Sequence, residues 1–241
     1  MAIFLEQNAI DLVAGVWFLI CFNGYIRYAK ARNYRSNASS PSLASEMHRY
    51  RCQWMNKILT REMRVADVAA IANLEKSVSF FASTTMLILA GLITILGSTE
   101  KAIDLVSALP FAQMTHRAEW ELKIIMLIVL FAYAFFKFTW SLRQYGFVTI
   151  MIGSAPIPTD QCSDDDREAF ARRMASLASM AANNFNIGLR TYYFSISMLT
   201  WFIHPVLFIF SASLVVFILF RREFKSSTLK ILTGKDNQYY N

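Results

Sequence analysis

Residues 122–142 of the chain read LKIIMLIVLFAYAFFKFTWSL. This run carries two lysines and no acidic residue, and it is long enough to cross a bilayer core, which takes about 20 helical residues. Similar apolar runs lie near residues 12–28, 78–97 and 192–220. With 55% hydrophobic and only 17% charged residues, the sequence excludes a soluble globular enzyme, a disordered protein and a secreted disulfide scaffold. It predicts an all-α, polytopic membrane helical bundle.

The predicted organisation is a single integral membrane domain over residues 1–241. Its four transmembrane spans are placed at about 10–30, 77–97, 122–146 and 190–220. Amphipathic cytoplasmic helices are expected at about 41–75 and 164–186, where apolar residues recur at helical spacing. Ser40 before Pro41 is typical of an N-cap and a first helical residue. Ser163 before three aspartates is typical of an N-cap and an acidic first turn.

The distribution of basic residues predicts the orientation. Residues 27–76 and 143–190 together hold 15 lysines and arginines, whereas residues 98–121 and the tail from residue 221 hold seven. Cytoplasmic loops carry the excess of Lys and Arg in membrane proteins, so the first two segments are expected in the cytoplasm and the N-terminus outside it. Four spans then place the tail outside as well, although five of its residues are basic.

The last apolar block bears on the conflict between the basic tail and its expected position outside the cytoplasm. As one helix, residues 192–220 would measure about 43 Å, which is longer than a bilayer core requires. His204 and Pro205 lie near the middle of the block, and proline removes a backbone donor, so a kink is expected there. The block is either one long bent helix or a re-entrant segment that returns the tail to the cytoplasm. We favour the bent helix, because neither half alone is long enough to span.

Polar residues inside the spans are costly, so they are the best candidates for function. The residues expected to line a polar pathway or to pack helices together are Asn23, Lys137, Tyr193, Ser197, Trp201 and His204. Lys137 is expected to pair with Glu75 or to extend toward the cytoplasmic interface, whereas Lys123 is placed at the outer interface. Three arginines near the inner ends of the spans are expected either to bind an anionic lipid or solute or to anchor the chain: Arg27, Arg143 and Arg190.

The sequence predicts no catalytic, cofactor-binding or metal site. It lacks the motifs of metalloproteases, serine hydrolases and nucleotide-binding loops, and its three histidines are far apart in sequence. His48 and Cys52 are four residues apart on a helix, but two ligands without a third are a weak metal signal. The three cysteines include no CxxC pair and imply no disulfide framework. We therefore expect no enzyme activity, no cofactor and no nucleic-acid partner.

Several strings of the sequence resemble a known family. They are SVSFFASTT (77–85), FFKFTWSLRQY (135–145), FNIGLRTYYF (185–194), WF (201–202) and RREF (221–224). These strings are similar to an uncharacterised family of four-span membrane proteins of proteobacteria and plants, described only as a domain of unknown function. The resemblance covers nearly the whole chain and implies a cell inner membrane of bacterial type. The N-terminus, which the basic residues place outside the cytoplasm, is then expected to be periplasmic. It implies no activity, substrate or catalytic residue.

Two functions fit these observations. The polar sides of the spans favour a homo-oligomeric channel or transporter-like subunit for a small ion or anionic solute. The path would form between subunits, because four spans are few for a monomeric carrier. The alternative is a non-catalytic accessory or scaffold subunit of a membrane complex, in which the same polar residues pack helices together. The expected partners are the lipid bilayer, an anionic lipid, and further protein subunits.

Overall fold

The computed structural model describes residues 2–34, 41–107 and 117–234, and within these ranges the chain forms helices and no strands. The elements are α1 (Ala2–Tyr34), α2 (Leu43–Leu59), α3 (Val65–Gly97), α4 (Thr99–Ser107), α5 (Arg117–Gly153), α6 (Asp164–Leu199), a 3-10 turn (Thr200–Phe202), α7 (Pro205–Phe224) and α8 (Ser227–Leu232). The all-α fold class is therefore confirmed.

Four helical segments are long and apolar enough to cross a membrane: Ala9–Asn33, Val65–Gly97, Arg117–Gly153 and Pro205–Leu232. They confirm the span count and identify a multi-pass membrane protein. The first three contain the predicted spans. The fourth prediction, a single span over residues 190–220, is wrong in its bounds, because α6 ends at Leu199 and a new helix begins at Pro205.

The chain reverses direction between α6 and α7. The Ser211 hydroxyl donates to the Ser197 carbonyl over 3.1 Å, and Nη1 of Arg222 donates to the Tyr193 hydroxyl over 2.9 Å. In one continuous helix, Tyr193 and Arg222 would lie about 43 Å apart. The long bent helix is therefore wrong, because the chain turns back between α6 and α7.

The residues of this reversal explain why the helix stops. The 3-10 turn tightens the end of α6, and the His204 amide donates to the Thr200 carbonyl over 3.1 Å. Pro205 supplies no donor and becomes the first residue of α7, the position that tolerates proline best. The Val206 amide donates to Nδ1 of His204 over 3.1 Å, so the imidazole satisfies an otherwise unpaired donor at the start of α7.

The chain divides into two compact units. The first comprises residues 1–34, 84–134 and 189–222, and the second comprises residues 35–83, 135–188 and 223–241. In the first unit, the ring of Phe18 lies 5.9 Å from that of Phe194 and 5.2 Å from that of Phe208. Leu127 and Phe131 of α5 belong to the same buried cluster. The core of the first unit therefore joins α1, α5, the end of α6 and α7.

The second unit has an aromatic cluster of its own. The ring of Phe81 lies 5.6 Å from the rings of Phe138 and Phe185. Gly188 faces Phe138 so closely that a Cβ atom there would lie 2.4 Å from its Cε1. These residues come from the three longest strings that resemble the family, so the strings meet in one core.

Two arginine side chains stabilise helix ends in the second unit. Arg64 donates to the carbonyls of Ile152 and Ala155 over 3.1 and 2.7 Å, and thereby satisfies acceptors at the end of α5. Arg61 forms a 2.8 Å ion pair with Asp67, whose side chain is 4% exposed, in the turn between α2 and α3. The helices predicted over 41–75 are α2 and the first part of α3, and this turn separates them.

Two helix starts test the predicted caps. The N-cap of α2 is Ser42, which forms a capping box with Ser45. The prediction of Pro41 as first helical residue is wrong, because Pro41 precedes this cap, and Ser40 lies outside the described residues. The cap at Ser163 is confirmed, since its hydroxyl accepts the Asp166 amide over 3.1 Å. The helix that begins there continues well past residue 186, to Leu199.

Candidate functional site

The first unit contains a largely buried ion pair that links three elements. Nζ of Lys123 in α5 lies 3.2 Å from Oδ1 of Asp11 in α1, and the two side chains are 5% and 19% exposed. The Trp201 indole in the 3-10 turn donates to the same carboxylate oxygen. Lys123 also donates to the Trp201 carbonyl over 3.4 Å, and its ammonium lies 5.1 Å from the indole ring. We call Asp11, Lys123 and Trp201 the charged triad.

Packing around Trp201 explains how the triad forms. Its indole stacks on Phe208 with the ring centroids 4.7 Å apart. A Cβ atom at Gly15 would lie 3.4 Å from Cη2 of Trp201, so glycine lets α1 approach the indole closely. An unpaired charge inside a span is costly, and the ion pair offsets that cost.

Sequence reasoning missed this site. It placed Lys123 at the outer interface without a partner, and the structure buries Lys123 to 4% exposure beside Asp11. A signal was available, because Asp11 and Lys123 each lie near the start of a predicted span, and the two spans run in the same direction. Matching the depths of charged residues would have suggested the pair.

A cavity of about 340 Å³ adjoins the charged triad. Among the residues that the structure describes, Glu119 is the only ionisable group in its lining besides the triad; the rest of that lining is apolar, with Val16, Leu19 and Met126 among the residues. Leu12 and Leu122 at its edges are 71% and 56% exposed, so the cavity opens sideways between α1 and α5. Its polar groups are therefore concentrated at one end of an apolar groove.

The second unit holds a polar cluster around Lys137. Nζ of Lys137 lies 3.4 Å from Oδ1 of Asn184, whose amide donates to Gln144 over 2.8 Å. Gln144 is 2% exposed, so this amide chain is part of the helix packing. Glu75 is half-buried on α3, and its pairing with Lys137 stays a prediction.

Two of the predicted pathway residues lie in the core of the first unit. Ser197 is buried and donates to the Phe194 carbonyl over 2.7 Å, and Trp201 belongs to the charged triad. His204, by contrast, caps the start of α7 through its imidazole. The contacts of these three side chains are all explained by packing.

The other predicted pathway residues of the first unit face outward. Asn23 is exposed, and its amide donates to the Leu19 carbonyl of its own helix over 3.0 Å. Tyr193 is 38% exposed and accepts from Arg222. The structure therefore does not gather the predicted pathway residues around one space within the first unit.

The three predicted anion-binding arginines have different surroundings. Arg190 is 4% exposed, and its guanidinium lies 5.5 Å from the ring centroid of Tyr25 in the first unit. Arg27 is exposed in the same unit. Arg143 is exposed in the second unit, 5.6 Å from the ring centroid of Phe147. Arg27 and Arg143 are accessible to an anionic headgroup, and a cavity shared by Arg143 and Arg190 stays a prediction.

The His48 and Cys52 pair is joined to α6. Sγ of Cys52 lies 3.6 Å from Nε2 of His48, whose Nδ1 lies 2.8 Å from the Ser179 hydroxyl. Partial burial, followed by the charge of Arg51, lowers the pKa of His48, and burial raises the pKa of the Cys52 thiol. In the described ranges, no three His, Cys, Asp or Glu side chains are grouped to hold a metal ion. The contact between His48 and Ser179 links α2 to α6.

Comparison with known proteins bears out the resemblance. A family model described as "Protein of unknown function, DUF599" matches residues 13–228, a range that contains all five strings quoted above. Neither the curated proteins nor the solved structures gave a match to the chain.

Proposed function

Since the chain belongs to the DUF599 family, whose description names no activity, we propose its function from the geometry: a non-catalytic accessory or scaffold subunit of a membrane assembly. The spans would hold the protein in the inner membrane, and the second unit would dock a partner protein in the cytoplasm.

The observation that carries this proposal is the use of polar groups inside the first unit. The hydroxyls of Thr85 and Tyr192 lie 2.6 Å apart, and the Trp17 indole donates to Ser213 over 3.0 Å. Together with the charged triad, these bonds tie α1 to α5 and α7, and α3 to α6. Ion-conducting paths need polar groups that face water and replace the hydration shell of the ion. Polar groups engaged with one another support packing instead.

The position of the tail supports a cytoplasmic second unit. α8 lies against α2, where the side chains of Arg49 and Tyr50 donate to the Leu232 carbonyl over 3.4 and 3.3 Å. The basic tail thus lies with the loop that contains α2, itself rich in lysine and arginine. With the tail on that side, the positive-inside rule is obeyed along the whole chain. This supports a cytoplasmic tail and a periplasmic N-terminus, with the end of α6 leading outward to the reversal and α7 returning to the cytoplasmic side.

The lengths of α3 and α5 also favour a docking role. They contain 33 and 37 residues, whereas a span needs about 20. With spans at 77–97 and 122–146, the surplus lies toward Val65 and Gly153, and both ends belong to the second unit. Helical segments that extend beyond the bilayer are what a scaffold needs and what a simple pore does not.

One observation favours the homo-oligomeric channel as second candidate. Asn23 is exposed within a span, and polar side chains in spans almost always face protein or water. A second copy packed on this face of α1 would cover Asn23. A path for a small ion or anionic solute between copies would then be lined by Asn23 and Arg27, one turn further along the helix.

Flux measurements on purified protein in liposomes separate the two candidates. The accessory role predicts that chloride and potassium fluxes equal those of protein-free liposomes, at any oligomeric state found by native mass spectrometry. If the flux is higher than in protein-free liposomes and Asn23→Leu abolishes the excess, the result would contradict the accessory role and favour the channel. Ser83→Leu, at another exposed polar position in a span, is the matched control.

A further inference from the structure

We propose that the cavity between α1 and α5 is a binding site for a zwitterionic membrane lipid with a primary ammonium in its headgroup. The headgroup would lie at Asp11, Glu119 and Lys123, and one acyl chain would follow Val16 and Met126. This site is independent of the docking role proposed above.

The shape of the cavity fits one end of an amphiphile. Its volume of about 340 Å³ lies within the range of about 300–1,000 Å³ for small-molecule sites. Asp11 and Glu119 lie near the starts of their spans, and Leu19 and Met126 lie eight and seven residues further along. At 1.5 Å per residue, the groove extends about 10–12 Å from its charged end toward its apolar end. A lipid in the bilayer has the same order of polar and apolar parts.

The charges of the site select the headgroup. Asp11 and Lys123 neutralise each other, so Glu119 leaves one negative charge in the lining. A primary ammonium carries three N–H donors and can bond to the Glu119 carboxylate, whereas a quaternary ammonium has no donor. Lys123 uses one donor on Asp11 and one on the Trp201 carbonyl, which leaves a third for the lipid phosphate. A headgroup with a net negative charge would be repelled by Glu119.

The opening of the cavity fits a ligand from the bilayer. Val16 is 50% exposed and Leu122 is 56% exposed along the rim. Because these side chains belong to helices long enough to span, the opening would face the acyl chains of the bilayer. A lipid would enter sideways without crossing water, whereas a soluble ion would have to leave water for an apolar groove.

Native mass spectrometry of the delipidated full chain tests this site. The protein is incubated with an equimolar mixture of lipids with identical acyl chains and ethanolamine, choline or glycerol headgroups. The proposal predicts that the protein retains the ethanolamine lipid preferentially. In Glu119→Gln, the affinity for this lipid should fall about tenfold, the effect of one charge-assisted hydrogen bond. Glu121→Gln is the matched control, because Glu121 pairs with Arg117 and lies outside the cavity lining.

A second variant tests the groove itself. Val16→Phe fills its apolar part and should reduce retention of the ethanolamine lipid to the level of the other two. Equal retention of the three lipids by the unaltered protein would show surface lipid only and overturn the proposal. Equal loss in Glu119→Gln and Glu121→Gln would overturn it too, because it would indicate a general charge effect.

Discussion

Replacing Gly188 with alanine should destabilise the protein although alanine is the better helix former. The added Cβ would lie 2.4 Å from Cε1, 2.7 Å from Cζ and 2.8 Å from Cδ1 of Phe138. Phe138 is fully buried, and Phe81 and Phe185 lie against its ring. The ring therefore has no free space to move into, and the helices must separate instead.

The size of the effect follows from two opposing terms. Overpacking a core costs about 1–3 kcal/mol, and three ring atoms within 2.8 Å of the new carbon place this site at the upper end. Alanine regains about 1 kcal/mol of helix propensity relative to glycine. The expected net loss is about 2 kcal/mol, which lowers the Tm by about 4–8 °C for a chain of this size.

Thermal unfolding in detergent measures this change, and Gly146→Ala is the control. Gly146 lies inside α5 in the same unit, and a Cβ there would meet nothing within 4 Å. Gly146→Ala should therefore leave stability unchanged or raise it by up to about 1 kcal/mol. Phe138→Leu combined with Gly188→Ala should cost less than the sum of the single changes. The packing argument would be refuted if both alanine variants changed the Tm in the same direction, or if the double variant were additive.

Three further predictions concern other parts of the molecule. Lys123→Met leaves Asp11 without its buried partner and should lower the free energy of unfolding by about 3 kcal/mol, more than Lys137→Met does. Adding Asp11→Asn should recover part of that loss. A larger loss in Lys137→Met than in Lys123→Met, measured by thermal unfolding, would contradict the charged triad. A cysteine introduced at Thr228 should resist a membrane-impermeant thiol reagent added outside, whereas one at Ser98 should react; labelling of both would contradict the reversal at Thr200–His204. Because the pKa of His48 is lowered in the folded protein, the unfolded chain takes up the proton first, so stability should fall as the pH drops below about 6.5. His48→Gln should flatten that part of the pH profile, and an unchanged slope would exclude His48 as its source.

The spans could be predicted because hydrophobicity is a local property of the sequence. A run such as residues 78–97 determines its own helix and its own place in the bilayer. The cap at Ser163 is local in the same way, since it depends on a side chain and an amide three residues further along. Pro41 was misread because Ser42, the next residue, caps α2 instead.

The reversal and the charged triad could not be predicted with the same reasoning. The apolar composition of residues 192–220 is the same whether the chain continues or turns back, and the bond between Tyr193 and Arg222 depends on tertiary structure. The pairing of Lys123 with Asp11 depends on which helices are neighbours, which hydropathy does not contain. Asn184 was missed beside Lys137 because it was assigned to a surface helix, whereas α6 continues into the first unit.

Photo-cross-linking in native membranes tests the accessory role most directly. A photoreactive residue is introduced at Met180, which is 55% exposed in the second unit, and for comparison at Phe210, which is 67% exposed on α7. We predict that the Met180 position yields a protein adduct of one defined mass, whereas the Phe210 position yields lipid adducts. Adducts at Met180 with only lipid, or only with a second copy of the chain, would contradict a role as subunit of a larger assembly.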